Sequence, residues 1–363
     1  MSGFHTLTVD KVRRETPDAV CVSLLVPDAL SSTFAFHPGQ YLTLRAVLDG
    51  EDVRRPYSIC STPDDPLLSV GIKAVPHGLF STYANTMLRA GDTVEVMQPF
   101  GHFGFAPDAS NARHYALFAA GSGITPVLSI AASVLATESE SRVSLFYGNR
   151  DTSSVMFRDA LADLKDRHLE RFNVTHVLSR EPQDVALHAG RLDGDKVREL
   201  IDRGHLDPAH VHSAYLCGPG AFIDELEAAL VEANLSPDHI HHERFATDKQ
   251  EAAREHADAG AVAPRDAVQA GCEVTVHLDG ASRVFSLDSG DASLLDAARR
   301  QGIELPWSCK GGMCCTCRCK QLGGDASMRA NFSLEPWEVD AGFVLACQLE
   351  PTSKRLELDF DAS

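Results

Sequence analysis

The chain contains 363 residues, more than a single domain usually holds, which predicts two or three domains. Hydrophobic residues make up 44% of the sequence and charged residues 23%, a composition that excludes intrinsic disorder. The 51 acidic and 33 basic residues give a net charge of −18, which disfavours binding to nucleic acid or to an anionic membrane surface.

Residues 1–108 are predicted to form a small antiparallel β-barrel. Short apolar or alternating runs are separated there by clusters of Pro, Gly and Asp, which is the pattern of strands joined by turns. The predicted strands are residues 6–12, 19–26, 41–47, 67–75 and 93–97.

Residues 112–245 are predicted to alternate strands with helices around a parallel sheet covered on both faces. An uncharged run at 115–137 is long enough to span a membrane, but GSGITP, beginning at Gly121, divides it into a strand, a tight turn and a helix. The predicted strands are 115–119, 143–147, 172–178 and 214–217, and the predicted helices are 126–135, 156–167, 196–202 and 221–233.

The last part of the chain is predicted to be a separate domain, residues 272–363. Residues 246–271 are rich in Ala and mixed charges and poor in large apolar residues, which predicts a linker. Beyond them, 272–287 alternates like a hairpin and 293–301 is typical of a helix.

Ten cysteines are unevenly distributed, with five between Cys309 and Cys319. The first residues, MSGFHTLTVDKV, contain neither the basic nor the apolar segment of a secretory leader, so we expect a cytoplasmic protein without a disulfide framework. The clustering of five cysteines between Cys309 and Cys319 favours a metal site. Isolated Cys21, Cys60 and Cys272 are expected to pack as small hydrophobic residues.

Four of these cysteines have the spacing of a plant-type [2Fe-2S] site, C-x4-C-x2-C followed by a distant fourth cysteine. The predicted ligands are Cys309, Cys314, Cys317 and Cys347. A structural zinc ion is the alternative, but zinc sites usually pair two short Cys-x-x-Cys knuckles and only one is present. Cys315 and Cys319 have other offsets and are predicted to be packing thiols.

Two glycine-containing turns follow predicted strands and precede predicted helices. Gly121-Ser122-Gly123-Ile124-Thr125-Pro126 would let a phosphate approach the backbone at a helix N-terminus, and Cys217-Gly218-Pro219-Gly220 follows a later strand. Ligands of open parallel sheets bind at the carboxyl ends of strands, so the two turns together predict a nucleotide site.

Together with RPYS at 55–58, and with Lys73 followed by GLFS at 78–81, these turns resemble the motifs of the ferredoxin-NADP reductase superfamily. With its C-terminal ferredoxin module, essentially the whole chain resembles the family of reductase subunits of bacterial phenylacetyl-CoA epoxidases. The runs RRPYSIC, CKGGMCCTCRCK and NFSLEPWEVDAGFVLACQLEP carry that resemblance most specifically. It implies an antiparallel β-barrel FAD domain, an α/β parallel-sheet NADP domain and an α+β β-grasp ferredoxin domain.

The resemblance also implies roles for individual residues. Tyr57 would lie against the flavin ring, Ser58 would bond near its reactive nitrogen, and Arg55 would pair with the FAD pyrophosphate. Further FAD-binding residues implied by the motifs are Lys73, Gly78, Ser81 and Thr82. Glu243 and Phe245 match an acid and an aromatic residue near the flavin. The histidines beside them, in HIHHERF, are typical of a strand end rather than of a metal site.

The nicotinamide coenzyme would be held by the two glycine-containing turns. The residues implied are Gly121, Gly123, Thr125, Pro126 and Gly218, with Cys217 near the carbon that gives up hydride. Arg150, Ser179 and Arg180 resemble a set that binds a 2′-phosphate and favour NADPH. Asp151 is the kind of acid that would instead bond a ribose diol, as in NADH enzymes.

The implied function is an NADPH-dependent reductase that passes electrons through FAD and a [2Fe-2S] cluster to the oxygenase subunits of a phenylacetyl-CoA epoxidase complex, a di-iron oxygenase. A competing interpretation is the reductase of a Rieske-type oxygenase for a quaternary amine. A third, of another class, is a metal-stabilised adaptor without redox activity.

Overall fold

The computed structural model describes residues 3–245 and 271–362. The predicted linker, 246–271, lies outside the described residues except for Gly271. The described chain forms two compact units, of which one contains the N-terminal and parallel sheets and the other the C-terminal sheet.

The N-terminal strands form a six-stranded sheet in the order β4-β3-β6-β1-β2-β5. Ile59, directly after β4, forms a bridge with Val70 of β5, so the two edge strands meet and the sheet closes as the predicted barrel. The elements are β1 (Phe4–Thr16), β2 (Ala19–Leu25), β3 (Tyr41–Leu48), β4 (Glu51–Ser58), β5 (Leu68–Lys73), α1 (Leu79–Thr86) and β6 (Thr93–Met97).

Strand β2 shows why its sequence, AVCVSLL, is almost entirely apolar. Val20, Val22 and Leu24 point into the barrel core, while Ala19 and Cys21 belong to a second core shared with the parallel sheet. The five strands predicted in this region are confirmed in place. Sequence reasoning missed β4, EDVRRPYS, because an edge strand with five charged or polar residues lacks an apolar run.

The second sheet is parallel throughout and has the order β11-β10-β7-β8-β9. Because the chain runs outward from β7 through β8 and β9 and then returns to β10 on the other side of β7, the order switches between β7 and β10. Its elements are β7 (His114–Ala120), α2 (Ile124–Thr137), β8 (Arg142–Asn149), α3 (Arg158–Arg167), β9 (Phe172–Leu178), α4 (Gly194–Asp202), β10 (Ser213–Pro219), α5 (Gly220–Glu232) and β11 (Ile240–Phe245).

The uncharged run at 115–137 is confirmed as a strand, a turn and a helix: β7, a 3-10 turn at Gly121–Gly123, and α2. Within the described residues, no helix has both the length and the apolar composition needed to cross a bilayer. Strand β11 was not predicted, because His, Glu and Arg fill most of its positions.

The C-terminal unit has a mixed five-stranded sheet in the order β13-β12-β18-β14-β16 and a separate two-stranded β15-β17 pair. The predicted hairpin and helix are confirmed as β12, β13 and α6, and the cysteine-rich loop lies between α6 and β14. The elements are β12 (Glu273–Leu278), β13 (Ala281–Ser286), α6 (Leu294–Arg300), β14 (Arg318–Gly323), β15 (Ala326–Met328), α7 (Pro336–Asp340), β16 (Phe343–Leu345), β17 (Leu349–Pro351) and β18 (Arg355–Asp359).

Candidate functional site

Ser58 and Glu243, predicted near the flavin, meet Cys217, predicted near the nicotinamide carbon, where the barrel contacts the parallel sheet. Ser58 ends β4, while Cys217 of β10 and Glu243 of β11 are paired in register on neighbouring strands. The Ser58 hydroxyl donates to Glu243 Oε2 at 2.8 Å, and the Cys217 thiol donates to the same oxygen at 3.8 Å. Residues 185 positions apart in the sequence therefore form one cluster.

The electrostatics of this cluster favour proton exchange at neutral pH. Burial raises the pKa of Glu243 to about 7, and the Ser58 and Cys217 donors offset only part of that effect. Burial, followed by the nearby Glu243 charge, raises the pKa of the Cys217 thiol well above its usual range. At pH 7 the thiol is therefore protonated, while the Glu243 carboxyl is a mixture of its two protonation states.

The two glycine-containing turns lie against each other at the switch point of the sheet. A Cβ atom at Gly123 would lie 2.1 Å from the carbonyl oxygen of Cys217, so only glycine allows this approach. A Cβ at Gly218 would lie 3.0 Å from the Ala120 side chain. The Gly121 carbonyl accepts a 2.9 Å hydrogen bond from the Tyr147 hydroxyl. The pairing of the turns at this edge, expected from their motifs, is thus present.

Thr125 and Pro126 are both buried at the end of the first glycine-containing turn. Thr125 is buried, its hydroxyl donates to the Ser122 carbonyl at 3.0 Å, and its methyl group lies so near Gly71 of the barrel that a Cβ there would be 2.5 Å away. Pro126 is buried in the first turn of α2. The Thr125 side chain therefore holds the turn, and because Pro126 has no N–H, a nucleotide contact here would use the backbone N–H groups of its neighbours.

The residues predicted to bind FAD lie on β4 and around the start of α1. The Tyr57 ring is half-buried and lies 5.6 Å from the Phe80 ring. Ser81 is buried, and its hydroxyl accepts from the Val75 N–H at 3.2 Å and donates to the Gly78 carbonyl at 3.4 Å. In the same turn, Thr82 is exposed. Half-buried Arg55 donates to the Arg54 carbonyl at 2.9 Å.

Two predicted cationic residues converge on a carboxylate that sequence reasoning missed. Arg150 Nη2 lies 3.2 Å and Lys73 Nζ 3.8 Å from Asp18 Oδ2, and Lys73 Nζ also lies beside Gly121. Asp18 falls in a short turn between β1 and β2, where no motif distinguishes it from an ordinary turn residue. The pair of cations keeps a net positive charge next to the turn.

The residues predicted to choose the coenzyme lie at the carboxyl ends of β8 and β9. The Arg180 N–H donates to the Arg150 carbonyl at 2.7 Å, and Ser179 donates to the Asn149 carbonyl, which joins the two loops. Asp151 accepts hydrogen bonds from the Ser153 hydroxyl and the Ser154 N–H, and these bonds lower its pKa. Both bonds go to Asp151 Oδ1, so the carboxylate caps a short 3-10 helix through one of its two oxygens.

The four predicted cluster ligands are arranged as two pairs of sulfur atoms. The thiols of Cys309 and Cys314 interact with each other, as do those of Cys317 and Cys347. A [2Fe-2S] cluster needs two protein ligands for each iron, so two pairs suit it. Among residues 3–245 and 271–362, no group of three His, Cys, Asp or Glu side chains is arranged around a single ion position.

The backbone around these sulfurs provides the donors that a cluster requires. The Cys309 N–H donates to the Cys314 sulfur at 3.4 Å, and the Gly311 N–H donates to the Cys309 sulfur at 3.3 Å. The Cys347 N–H donates to the Cys317 sulfur at 3.4 Å. A Cβ at Gly312, whose φ is +74°, would lie 2.9 Å from the Ala330 carbonyl oxygen, so the loop needs glycine there. The donor set therefore fits a [2Fe-2S] cluster.

The other cysteines behave as packing residues. Cys315 donates to the Ser333 hydroxyl at 3.0 Å, Cys319 is fully buried, and Cys272 is buried as well. Cys21 and Cys60 are buried with their sulfurs 3.9 Å apart, a contact that the sequence did not suggest. None of the ten cysteines, all of which lie in the described part of the chain, forms a disulfide.

Comparison with known proteins identifies three adjoining domain families. Residues 6–105 match the oxidoreductase FAD-binding domain, residues 117–228 the oxidoreductase NAD-binding domain, and residues 276–352 the 2Fe-2S iron-sulfur cluster binding domain. The chain therefore belongs to the family of oxidoreductases that combine these three domains in one polypeptide, within the ferredoxin-NADP reductase superfamily.

Full-length relatives narrow that family to oxygenase reductases. The chain is 45% identical to a subunit of the 1,2-phenylacetyl-CoA epoxidase of Escherichia coli K12, over 100% of this chain and 99% of the relative. It is 34% identical to the ferredoxin reductase component of the Rhodococcus rhodochrous 3-ketosteroid-9-alpha-monooxygenase, over 98% and 96%. The solved structure of phthalate dioxygenase reductase has the same fold, with a TM-score of 0.58, 24% identity, and coverage of 99% and 98%.

Proposed function

We propose that this protein transfers electrons from NADPH through FAD and a [2Fe-2S] cluster to an oxygenase. The observation that carries the proposal is the convergence of Ser58, Cys217 and Glu243 at the switch point of the sheet. FAD accepts two electrons together and releases them singly, and a [2Fe-2S] cluster carries one at a time. The three domain families supply the sites for that sequence of cofactors.

The residues at the flavin site would position the reacting groups and control proton transfer. Tyr57 and Ser58 would orient the flavin, and Cys217, fully buried, would keep water from the nicotinamide carbon. Glu243, whose pKa is about 7, would take up or release the proton that accompanies flavin reduction, with the Ser58 hydroxyl between it and the ring.

The phosphate groups would be held mainly by the turns and the cations. Arg55, the Ser81 backbone N–H and the Thr82 hydroxyl would bind the FAD pyrophosphate at the turn of Gly78, where the Gly78 and Thr82 N–H groups already bond to the Val75 and Gly78 carbonyls. Lys73 ends β5, ahead of this turn. Gly121, where a Cβ would meet only Lys73 Nζ at 3.8 Å, leaves room for the coenzyme to approach the backbone, and Gly123 and Gly218 would bind it through turns that their close packing holds together. Arg150, Ser179 and Arg180 would bind the 2′-phosphate of NADPH. Phe245 ends β11, where it is paired with Pro219 of the second glycine-containing turn, and would lie near the flavin.

We propose that the acceptor is the di-iron oxygenase of a complex that epoxidises phenylacetyl-CoA. The 45% identity along the whole chain to a component of the Escherichia coli epoxidase supports this acceptor. The chain is also 26% identical, over 97% of its length, to the reductase subunit of the Chromohalobacter salexigens glycine betaine monooxygenase, which supports a Rieske-type partner for a quaternary amine as the competing candidate. The domain boundaries 1–108, 112–245 and 272–363 are part of this proposal.

Reconstitution with candidate oxygenases tests the acceptor. We expect NADPH oxidation coupled to epoxidation of phenylacetyl-CoA when the di-iron oxygenase is supplied. Turnover only with a Rieske-type partner would contradict the acceptor while leaving the electron path intact. A colourless protein after anaerobic purification, without flavin or iron absorption, would instead support the non-redox adaptor.

A further inference from the structure

Ser308, directly before the first predicted cluster ligand, has a buried hydroxyl group without a hydrogen-bond partner. The residue is 2% exposed, and its Oγ atom has neither solvent contact nor a donor or acceptor partner among the residues that the structure describes. A buried hydroxyl without a partner is costly, and folded proteins rarely keep one without a reason.

The surroundings of Ser308 contain other donors directed at sulfur. The N–H of the next residue, Cys309, donates to Cys314 Sγ at 3.4 Å, and the Gly311 N–H donates to Cys309 Sγ at 3.3 Å. None of the cysteine sulfurs, all within the described ranges, accepts a bond from the Ser308 hydroxyl. The inorganic sulfides of a [2Fe-2S] cluster accept hydrogen bonds as cysteine sulfurs do, and the four cysteines fit such a cluster.

We propose that the Ser308 hydroxyl donates a hydrogen bond to a sulfur of the bound [2Fe-2S] cluster and so sets its reduction potential. This inference rests on the proposed function, because it requires the cluster. Reduction adds one electron and makes the sulfurs more negative, so a donor stabilises the reduced form more than the oxidised form. Ser308 is thus a positioning residue that raises the potential and favours transfer from the reduced flavin.

The test compares midpoint potentials of full-length variants purified anaerobically with their cofactors. Ser308→Ala removes the hydroxyl, and the pair Ser308→Thr and Ser308→Val compares a hydroxyl with a methyl group in side chains of the same size. We expect Ser308→Ala and Ser308→Val to lower the equilibrium constant for one-electron reduction by up to about tenfold, or 59 mV, while Ser308→Thr stays near the wild type. Ser282→Ala, whose hydroxyl already bonds to His277, is the control.

The electron paramagnetic resonance spectrum of the reduced protein gives a second measurement. Exchange into deuterium oxide should remove from the spectra of wild type and Ser308→Thr one proton coupling more than it removes from those of Ser308→Ala and Ser308→Val, because the backbone N–H donors are common to all four proteins. Iron-loaded variants with unchanged potentials and couplings would overturn the inference without affecting the proposed function. A wild-type protein that contains no iron-sulfur cluster would overturn both. If Ser308→Ala does not fold, the Thr and Val pair and the wild-type coupling decide the question.

Discussion

The two candidate redox sites are built in different ways. At the flavin site, Ser58, Cys217 and Glu243 come from two sheets and meet through side chains. At the cluster site, Cys309, Cys314 and Cys317 come from a single loop, and backbone N–H groups donate to their sulfurs. The first site depends on tertiary packing of distant segments, whereas three of the four ligands of the second lie in one loop and only Cys347 comes from a distant segment.

This difference teaches which changes each site tolerates. Backbone donors survive most side-chain replacements, so the cluster should be sensitive mainly to its four ligands. The flavin site should respond in graded fashion to each polar side chain and to pH, because its groups are individually replaceable and one of them has a pKa of about 7. Replacements at each site can sharpen or break this comparison.

The largest effect is expected at a cluster ligand. Cys314→Ser should abolish one-electron delivery to the acceptor while NADPH still bleaches the flavin, because the hydride site lies in the other compact unit. Cys315→Ser, at a neighbouring thiol that bonds Ser333, is the matched control and should retain the cluster. Stopped-flow absorbance follows both steps. Undiminished acceptor reduction in Cys314→Ser would show that the ligand assignment is wrong.

The second largest effect, on the rate of flavin reduction, is expected at Ser58. Ser58→Ala removes the donor to Glu243 and should slow flavin reduction by NADPH about 100-fold, the lower range for a group that assists proton transfer. Ser23→Ala removes a hydroxyl paired with Ser69 on a barrel strand and should leave the rate unchanged. Single-turnover flavin bleaching measures the rate. Equal rates in the two variants would mean that Ser58 has no part in the reaction.

Coenzyme preference should shift by a smaller factor. Arg180→Ala should raise the KM for NADPH about tenfold or more and leave the KM for NADH nearly unchanged, since one hydrogen bond to a charged phosphate is lost. Arg142, exposed at the opposite end of the strand that precedes Arg150, is the control position for an alanine replacement. Steady-state kinetics with both coenzymes provide the comparison. Equal losses with NADH and NADPH would argue against a 2′-phosphate contact.

The smallest effect is on stability. The pKa of Glu243 is about 7 in the folded protein and near 4.5 in the unfolded chain, so the folded state holds an extra proton between these values. Stability should therefore fall as pH rises through this range. Because Glu243 is partly exposed, we expect a loss of about 1 kcal/mol between pH 5.5 and 8.

Glu243→Gln cannot titrate and should lose less stability over the same pH range. The difference between the two proteins, measured by chemical denaturation at both pH values, removes the contribution of every other titrating group. Identical pH dependence in the two proteins would contradict the raised pKa of Glu243.

The sequence was sufficient where the information is local. Cysteine spacing indicated four ligands, and the structure brings their sulfurs together as two pairs. Apolar runs gave most strands of both large sheets, but charged β4 and the polar β11 were missed although both carry the flavin site. The contact between Ser58 and Glu243 depends on packing between sheets, and the roles of these residues came from family resemblance, not from periodicity.

Asp18 and Ser308 show the remaining limit. The role of Asp18 depends on Lys73 at the end of β5 and on Arg150 in the loop after β8. The sequence of the turn that contains Asp18 does not indicate that either cation lies nearby. Ser308 is distinguished only by the missing partner of its hydroxyl within the described structure, which requires atomic positions to detect. Interactions of this kind are set by three-dimensional packing, so no motif identifies them.

The closure of the barrel at Ile59 and Val70 has a consequence for protein production. The seam begins one residue after Ser58, so a flavin held by β4 would also hold together the place where the two outer strands meet. Without the flavin, β4 and β5 would separate more often and expose backbone N–H and C=O groups that readily pair with those of another molecule. Cells starved of riboflavin should therefore accumulate this protein as aggregates rather than as a dispersed apoprotein.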